Sequence, residues 1–183
     1  PHITNMCNKA RKLIGLLYRR FYFNSNSTTL LRLYLSYVRP RLEYSSAVWN
    51  PFLKGEIEAI EKVQNYALKV CTKTWDLNYT DLLNATSLPS MQCRRLQTSL
   101  CHLYKIVHGL TDFPGSPTEQ QQFHYNTRSS ATEALSMPHF RTSSHQHTFF
   151  PLAIWEWNKL PKHITNCKTF HSFKSSLAKY SNK

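Results

Sequence analysis

Glycine is scarce: four in 183 residues, roughly a third of the ~7% usual in soluble proteins. Neither G-x-G-x-x-G nor G-x-x-x-x-G-K-[ST] occurs, so the Gly-rich cradles that bring backbone amides onto a phosphate are excluded. Aspartate is scarcer still. Asp76, Asp81 and Asp112 stand alone, whereas two-metal phosphoryl chemistry needs clustered carboxylates to hold two cations ~4 Å apart. Glu56, Glu58 and Glu61 are closer together but spread around a helix with a packing role of its own. A G-x-S-x-G elbow is also missing, and no catalytic residue can be assigned. No apolar run approaches the ~18 residues that span a bilayer, so no membrane partner is expected.

Cysteine is present but unpatterned. Cys7, Cys71, Cys93, Cys101 and Cys167 form an odd, scattered set, which reads as free thiols in a reducing compartment. An intracellular setting, cytoplasmic or nuclear, follows as the expectation. The sequons at Asn26, Asn78 and Asn84 are then chance occurrences, and the opening on Pro1 is read as the edge of something longer. Cys93, Cys101, His102 and His108 lie within sixteen residues. On a helix, however, Cys93 and His102 point in opposite directions, and only Cys101 and His108 share a face. Two ligands do not close a tetrahedral zinc site, so no metal and no cofactor are expected in this chain.

What the chain does have is positive charge, unevenly placed. The net charge is +13. Residues 1–54 hold nine Lys or Arg against one acidic residue, 55–110 six against five, and 111–183 eight against four. Such asymmetry favours an N-terminal surface made for phosphate.

Periodicity places these charges on helices. Over the first 22 residues Ile3, Met6, Ala10, Leu13, Ile14, Leu17 and Phe21 recur at steps of three and four, predicting an amphipathic helix. Lys9, Lys12, Arg19 and Arg20 fall roughly opposite, with Arg39 and Arg41 continuing the bias. A face built only for solubility mixes signs; this one does not, and phosphate-backbone contact is the reading it supports. Tyr18, Tyr22 and Tyr34 are assigned to packing rather than base stacking. Gly15, inside the helix, predicts close approach of another backbone.

A second helix runs through Leu30, Leu31, Tyr34 and Val38 until Pro40, where the missing amide predicts a kink with Arg39 extended and a restart carrying Leu42 to Trp49. Residues 56–72 carry Ile57, Ile60, Val63, Gln64, Ala67, Leu68 and Cys71 on one stripe. A short helix is expected near Asp81–Ala85, and a longer one from a Ser90 cap to a Gly109 stop. Between Leu110 and Ser144 the composition turns to Pro, Gln, Ser, Thr and His without a period, predicting an irregular connection with short extended pieces near 123–125 and 135–140. A final helix after a Thr169 cap carries Phe170, Phe173, Leu177 and Tyr180. The fold class is therefore mainly α: a three-helix bundle over 1–75, then an α-rich domain over 76–183 with an irregular loop at about 110–144.

In this order, HI…KARKLIGLLYRRF, LYLSYVRPRLEYSSAVWNP, IEKVQNYALKV, RRLQTSLCHLYKIVHG and WNKLP…FKSSL resemble the C-terminal region of reverse transcriptases from non-LTR, LINE-type (jockey-like) retrotransposons. The resemblance covers nearly the whole chain. It implies that Pro1–Thr74 is like the thumb, a helical bundle gripping the template–primer duplex, and that the rest is the C-terminal extension. It also implies a nucleic-acid partner held by backbone contacts, and Leu42, Tyr44 and Trp49 as packing anchors. The parent enzyme would be an RNA-directed DNA polymerase. Its palm, fingers and Tyr-x-Asp-Asp motif have no counterpart here, nor do an endonuclease motif or a CCHC knuckle. No template-directed synthesis is expected from this chain alone; the alternative is a non-catalytic interaction or structural remnant of a retroelement.

Overall fold

A computed structural model describes residues 2–111, 135, 137, 139 and 141–181, and among these the chain is helical with no strand. Two compact units divide within one helix, the first ending at Arg95 and the second beginning at Leu96. The expected extended pieces near 123–125 lie outside the described residues, as does most of the expected irregular connection.

In the first unit, α1 (His2–Phe21) and α2 (Ser27–Leu33) pack on the long central α5 (Lys54–Thr72). α1 buries Ile3, Cys7, Ala10 and Ile14, while Met6, Leu13 and Leu17 pack at the edge. Phe21, expected on this stripe, is exposed, because at the helix end no neighbour reaches over it. Around Gly15 nothing lies within 4 Å of where a Cβ would stand, so the expected backbone approach is absent. Asn26 caps α2, its side chain accepting from Thr29 N at 2.8 Å.

Pro40 is accommodated without a break. The stretch Tyr34–Val38 widens into a π-helical turn, in which Arg39 N–H donates to Tyr34 O five residues back. Arg39 stays in the right-handed helical region (φ −57, ψ −42) rather than extended, and Pro40 enters the first turn of α3 (Arg39–Glu43). The restart expected through Trp49 is instead split. Ser45 takes a left-handed conformation (φ 52) between α3 and α4 (Ser46–Trp49).

Beyond residue 75 the chain still belongs to the first core. α6 (Tyr79–Thr86) buries Leu82, and α7 (Met91–Val107) contributes Met91, so 76–95 join the bundle rather than a second domain. The reason is polar as well as apolar. Glu61, on α5, accepts from Tyr79 Oη, from Met91 N at 3.2 Å and from Gln92 N at 2.7 Å. One carboxylate thus satisfies two free amides at the start of α7, at the positive end of that helix dipole. Gln64, one turn on, donates from Nε2 to Pro89 O at 3.1 Å, and Ser90 Oγ accepts from Cys93 N, the cap expected from the sequence.

In the second unit, Leu100, Leu103 and Tyr104 of α7 form a core with Ala153, Ile154 and Trp157 of α9 (Phe149–Lys159), Ile164 of α10 (Lys162–Thr165), and Phe173 and Leu177 of α11 (Phe170–Ser181). Tyr104 stacks on Phe173 with ring centroids 4.5 Å apart, and its hydroxyl donates to Cys167 O at 2.7 Å. α7 ends as expected at Gly109 (φ 63), where Leu110 N returns to Lys105 O and Gly109 N to Ile106 O. Thr169 caps α11 through Ser172 N. A further short helix, α8 (Ser143–Gln146), begins where irregular chain was expected. Trp155 and Tyr180 remain exposed: Trp155 is one step past the core residue Ile154, and Tyr180, on the stripe of Phe173 and Leu177, stands at the end of α11.

Two variants probe this fold. Glu61→Ala should lower stability by about 3 kcal/mol, since three donors lose a charged acceptor, read as a reduced midpoint in urea unfolding; a change under about 0.5 kcal/mol would remove Glu61 from this role. Gly15→Ala should raise stability by up to ~1 kcal/mol, read as a higher urea midpoint, because helix propensity improves with no steric penalty.

Candidate nucleic-acid interface

The side of α1 turned from the core carries Lys9, Lys12, Arg19 and Arg20, all exposed. At ~100° per residue these four fall within an arc of about 100°, so the helix brings them together along one strip. Among the described residues none of them pairs with a carboxylate. The reason lies in the sequence: no acidic residue precedes Glu43.

Arg41 is likewise exposed, but Arg39 stands apart. It is half-buried and paired with Glu43 at 3.6 Å. The same carboxylate receives a bidentate fork from Arg94, Nε at 2.9 Å and Nη2 at 3.0 Å. Arg39 thus serves the bundle, and its charge is shared with an internal acid. The structure brings together the four cations of α1, and sets Arg39 inward from them.

Next to this ion pair lies a group the sequence reading passed over. Arg95 is 1% exposed. Its Nε donates to Asn50 Oδ1 at 3.1 Å, while Nη1 and Nη2 have no hydrogen-bond partner among the described residues. Burial holds this guanidinium below the ordinary arginine range, with Glu61 acting in the opposite sense. Burial also pushes up the phenol of Tyr79, reinforced by its hydrogen bond to Glu61, and that of Tyr34. The Cys71 thiol is pushed up to about 12 by burial alone, and Cys7 in the same direction. Both thiols are therefore protonated and unreactive at neutral pH. His102 is held below its usual value by burial and then by Lys105. Nothing local in the sequence marks Arg95, because its partner Asn50 lies 45 residues away.

Of the three packing anchors that the resemblance implied in LEYSSAVWNP, Leu42 and Trp49 pack and Tyr44 does not. Leu42 is fully buried, and Trp49 is half-buried with Nε1 donating to Tyr44 O at 2.7 Å. Tyr44, by contrast, is 79% exposed, because the left-handed Ser45 turns the chain just after it and its backbone carbonyl, not its ring, makes the contact. Of the three tyrosines assigned to packing, Tyr34 is buried and Tyr18 and Tyr22 are half-buried against the core.

Among the described residues no group of three or more His, Cys, Asp or Glu is placed to hold a metal ion, and no helix is long and apolar enough to cross a membrane. No protein-family model matches the chain, and neither a curated protein nor a solved structure is significantly similar to it.

Proposed function

We propose that this chain is the template–primer-binding segment of a reverse transcriptase-like retroelement protein. In this reading its first unit meets the phosphate backbone of a nucleic-acid duplex through the exposed side of α1. The observation that carries the reading is the unpaired, single-sign strip of Lys9, Lys12, Arg19 and Arg20, on a segment with no acid before Glu43. Arg41 extends it. Polymerase chemistry would belong to palm and fingers outside this chain, and the motif order of the sequence supports that origin.

Arginine forks onto phosphate oxygens, whereas lysine acts as a point charge, so Arg19 and Arg20 would anchor the contact. Backbone contacts position a duplex without reading its bases, and binding should be nearly independent of sequence. With three or four phosphates neutralised, log K should fall with log salt at a slope of about −3. Lys12→Glu with Arg19→Glu should weaken duplex binding at least about tenfold and reduce that slope by about 2, with helical content unchanged because neither side chain faces the core. The measurement is a salt titration of duplex affinity for both proteins. Equal affinities and slopes would make the strip a solvated surface and end the reading.

A second reading, a non-catalytic interaction or structural remnant, is favoured by one observation. Tyr44, Val48 (86% exposed) and Leu53 form a stretch of exposed apolar side chains, more than a solvated turn requires. Duplex affinity separates the two readings: under the first, wild type exceeds the charge-reversed double variant and Val48→Asp stays within about twofold of wild type. Under the second, wild type has no duplex affinity above that of the charge-reversed double variant.

A further inference from the structure

The exposed side of α1 contains more than cations. Backbone bonds continue the helical phase past Phe21, with Tyr22 N donating to Tyr18 O at 3.1 Å and Ser25 N to Phe21 O at 2.9 Å. In that phase Lys12, Leu16, Arg19 and Phe23 fall within about 60° of one another. Phe23 thus stands at the end of the basic strip, one turn beyond Arg19, and is 80% exposed.

Its position is fixed from behind. The Tyr22 ring lies 4.4 Å from that of Tyr18, and Phe23 meets Tyr22 edge-on at 5.3 Å and 88°. Lys73 sits over the Tyr22 ring, its Nζ 5.2 Å from the centroid and donating to Ser25 O at 3.0 Å. A large aromatic ring is therefore held out in solvent on a braced turn, beside two arginines. Such a ring costs little further ordering when a partner arrives.

We propose that Phe23 is a base-stacking platform, and that the strip of α1 recognises a duplex carrying an unpaired nucleotide. This rests on the template–primer reading and adds to it the residue that takes a base of the single-stranded part. The cations track phosphates, and the aromatic takes the π-face of a base, a pairing that tolerates any base. Inside a duplex both faces of each base are covered by its neighbours. A row of backbone contacts that ends in one outward aromatic therefore fits a duplex with a single-stranded extension better than a continuous helix. A protein partner matches the strip less well, since it would have to place acids against each cation around the exposed ring.

The test uses the whole chain and three probes of equal duplex length: blunt, with a five-nucleotide single-stranded extension, and with the same extension made abasic. The abasic probe keeps the phosphates and removes the stacking faces. Wild type should bind the base-bearing extension roughly five- to a hundredfold more tightly than the abasic one. Phe23→Ala should abolish that difference while leaving blunt-duplex affinity and its salt slope unchanged, and Phe23→Trp should retain it. Because Phe23 is outside the core, circular dichroism of each variant should match wild type. Equal binding of base-bearing and abasic extensions by wild type, or a preference that survives Phe23→Ala, would overturn the proposal while salt-sensitive blunt-duplex binding still stood. Loss of that blunt-duplex binding would instead mark failure of the backbone reading. Binding to anionic phosphatidylserine vesicles that Phe23→Ala abolishes, with all three nucleic-acid affinities unmoved, would reassign the strip to a lipid surface and likewise overturn the proposal.

Discussion

The carboxylate of Glu61 is the point on which the first unit turns. It sits on the central helix α5 and takes three donors from two other elements, Tyr79 of α6 and the first amides of α7. A half-buried acceptor with this many donors fixes the rotation of α5 about its axis as well as its distance from α7, which apolar packing alone does loosely. Gln64 repeats the lock one turn further on. With α5 so oriented, its apolar stripe of Ile60, Val63, Ala67 and Leu68 faces α1 and α2. That in turn decides which side of α1 is buried and which is left with the cations.

Glu43 makes the second decision. It is the first acid in the chain, and it is consumed inside the bundle by Arg39 and by the fork from Arg94. A partly buried carboxylate held by two guanidiniums has little charge left to offset other cations. The positive field of α1 is therefore left without a counter-charge of its own, a consequence of where one acid is placed as much as of how many bases are present.

Much of this was legible in the sequence, and for identifiable reasons. α1, α5 and α7 announce themselves by a 3.6-residue period in Ile, Leu, Val and Ala, and the Ser90, Thr169 and Gly109 termini by local chemistry that does not depend on tertiary context. The features that escaped depend on partners distant in sequence. Arg95 reads as a surface arginine until Asn50 is beside it. The division after Arg95 is hidden because Glu61 and Leu82 draw α6 and the start of α7 into the first core. The left-handed Ser45, at a residue with no glycine's freedom, gives no compositional sign, and with it went the placement of Tyr44. Phe23 was passed over because it lies just past the 22-residue period of the first helix, although the helical phase carries on through Ser25.

The cation strip also bears on stability. Lys12 and Arg19 are about 10 Å apart along the helix axis, close to a Debye length at 0.1 M salt. Their mutual repulsion is mostly screened at physiological ionic strength and rises as salt is removed. A polyanion lowers that repulsion and gains from the strip most under those same low-salt conditions, so binding and folding of α1 respond to salt in opposite senses. The buried side of the helix, where Ile3, Ala10 and Ile14 meet α5, is insensitive to salt and sets the floor that keeps α1 formed. Labour is thus divided around one helix: apolar packing keeps α1 formed, and the unpaired charge stands outside the core.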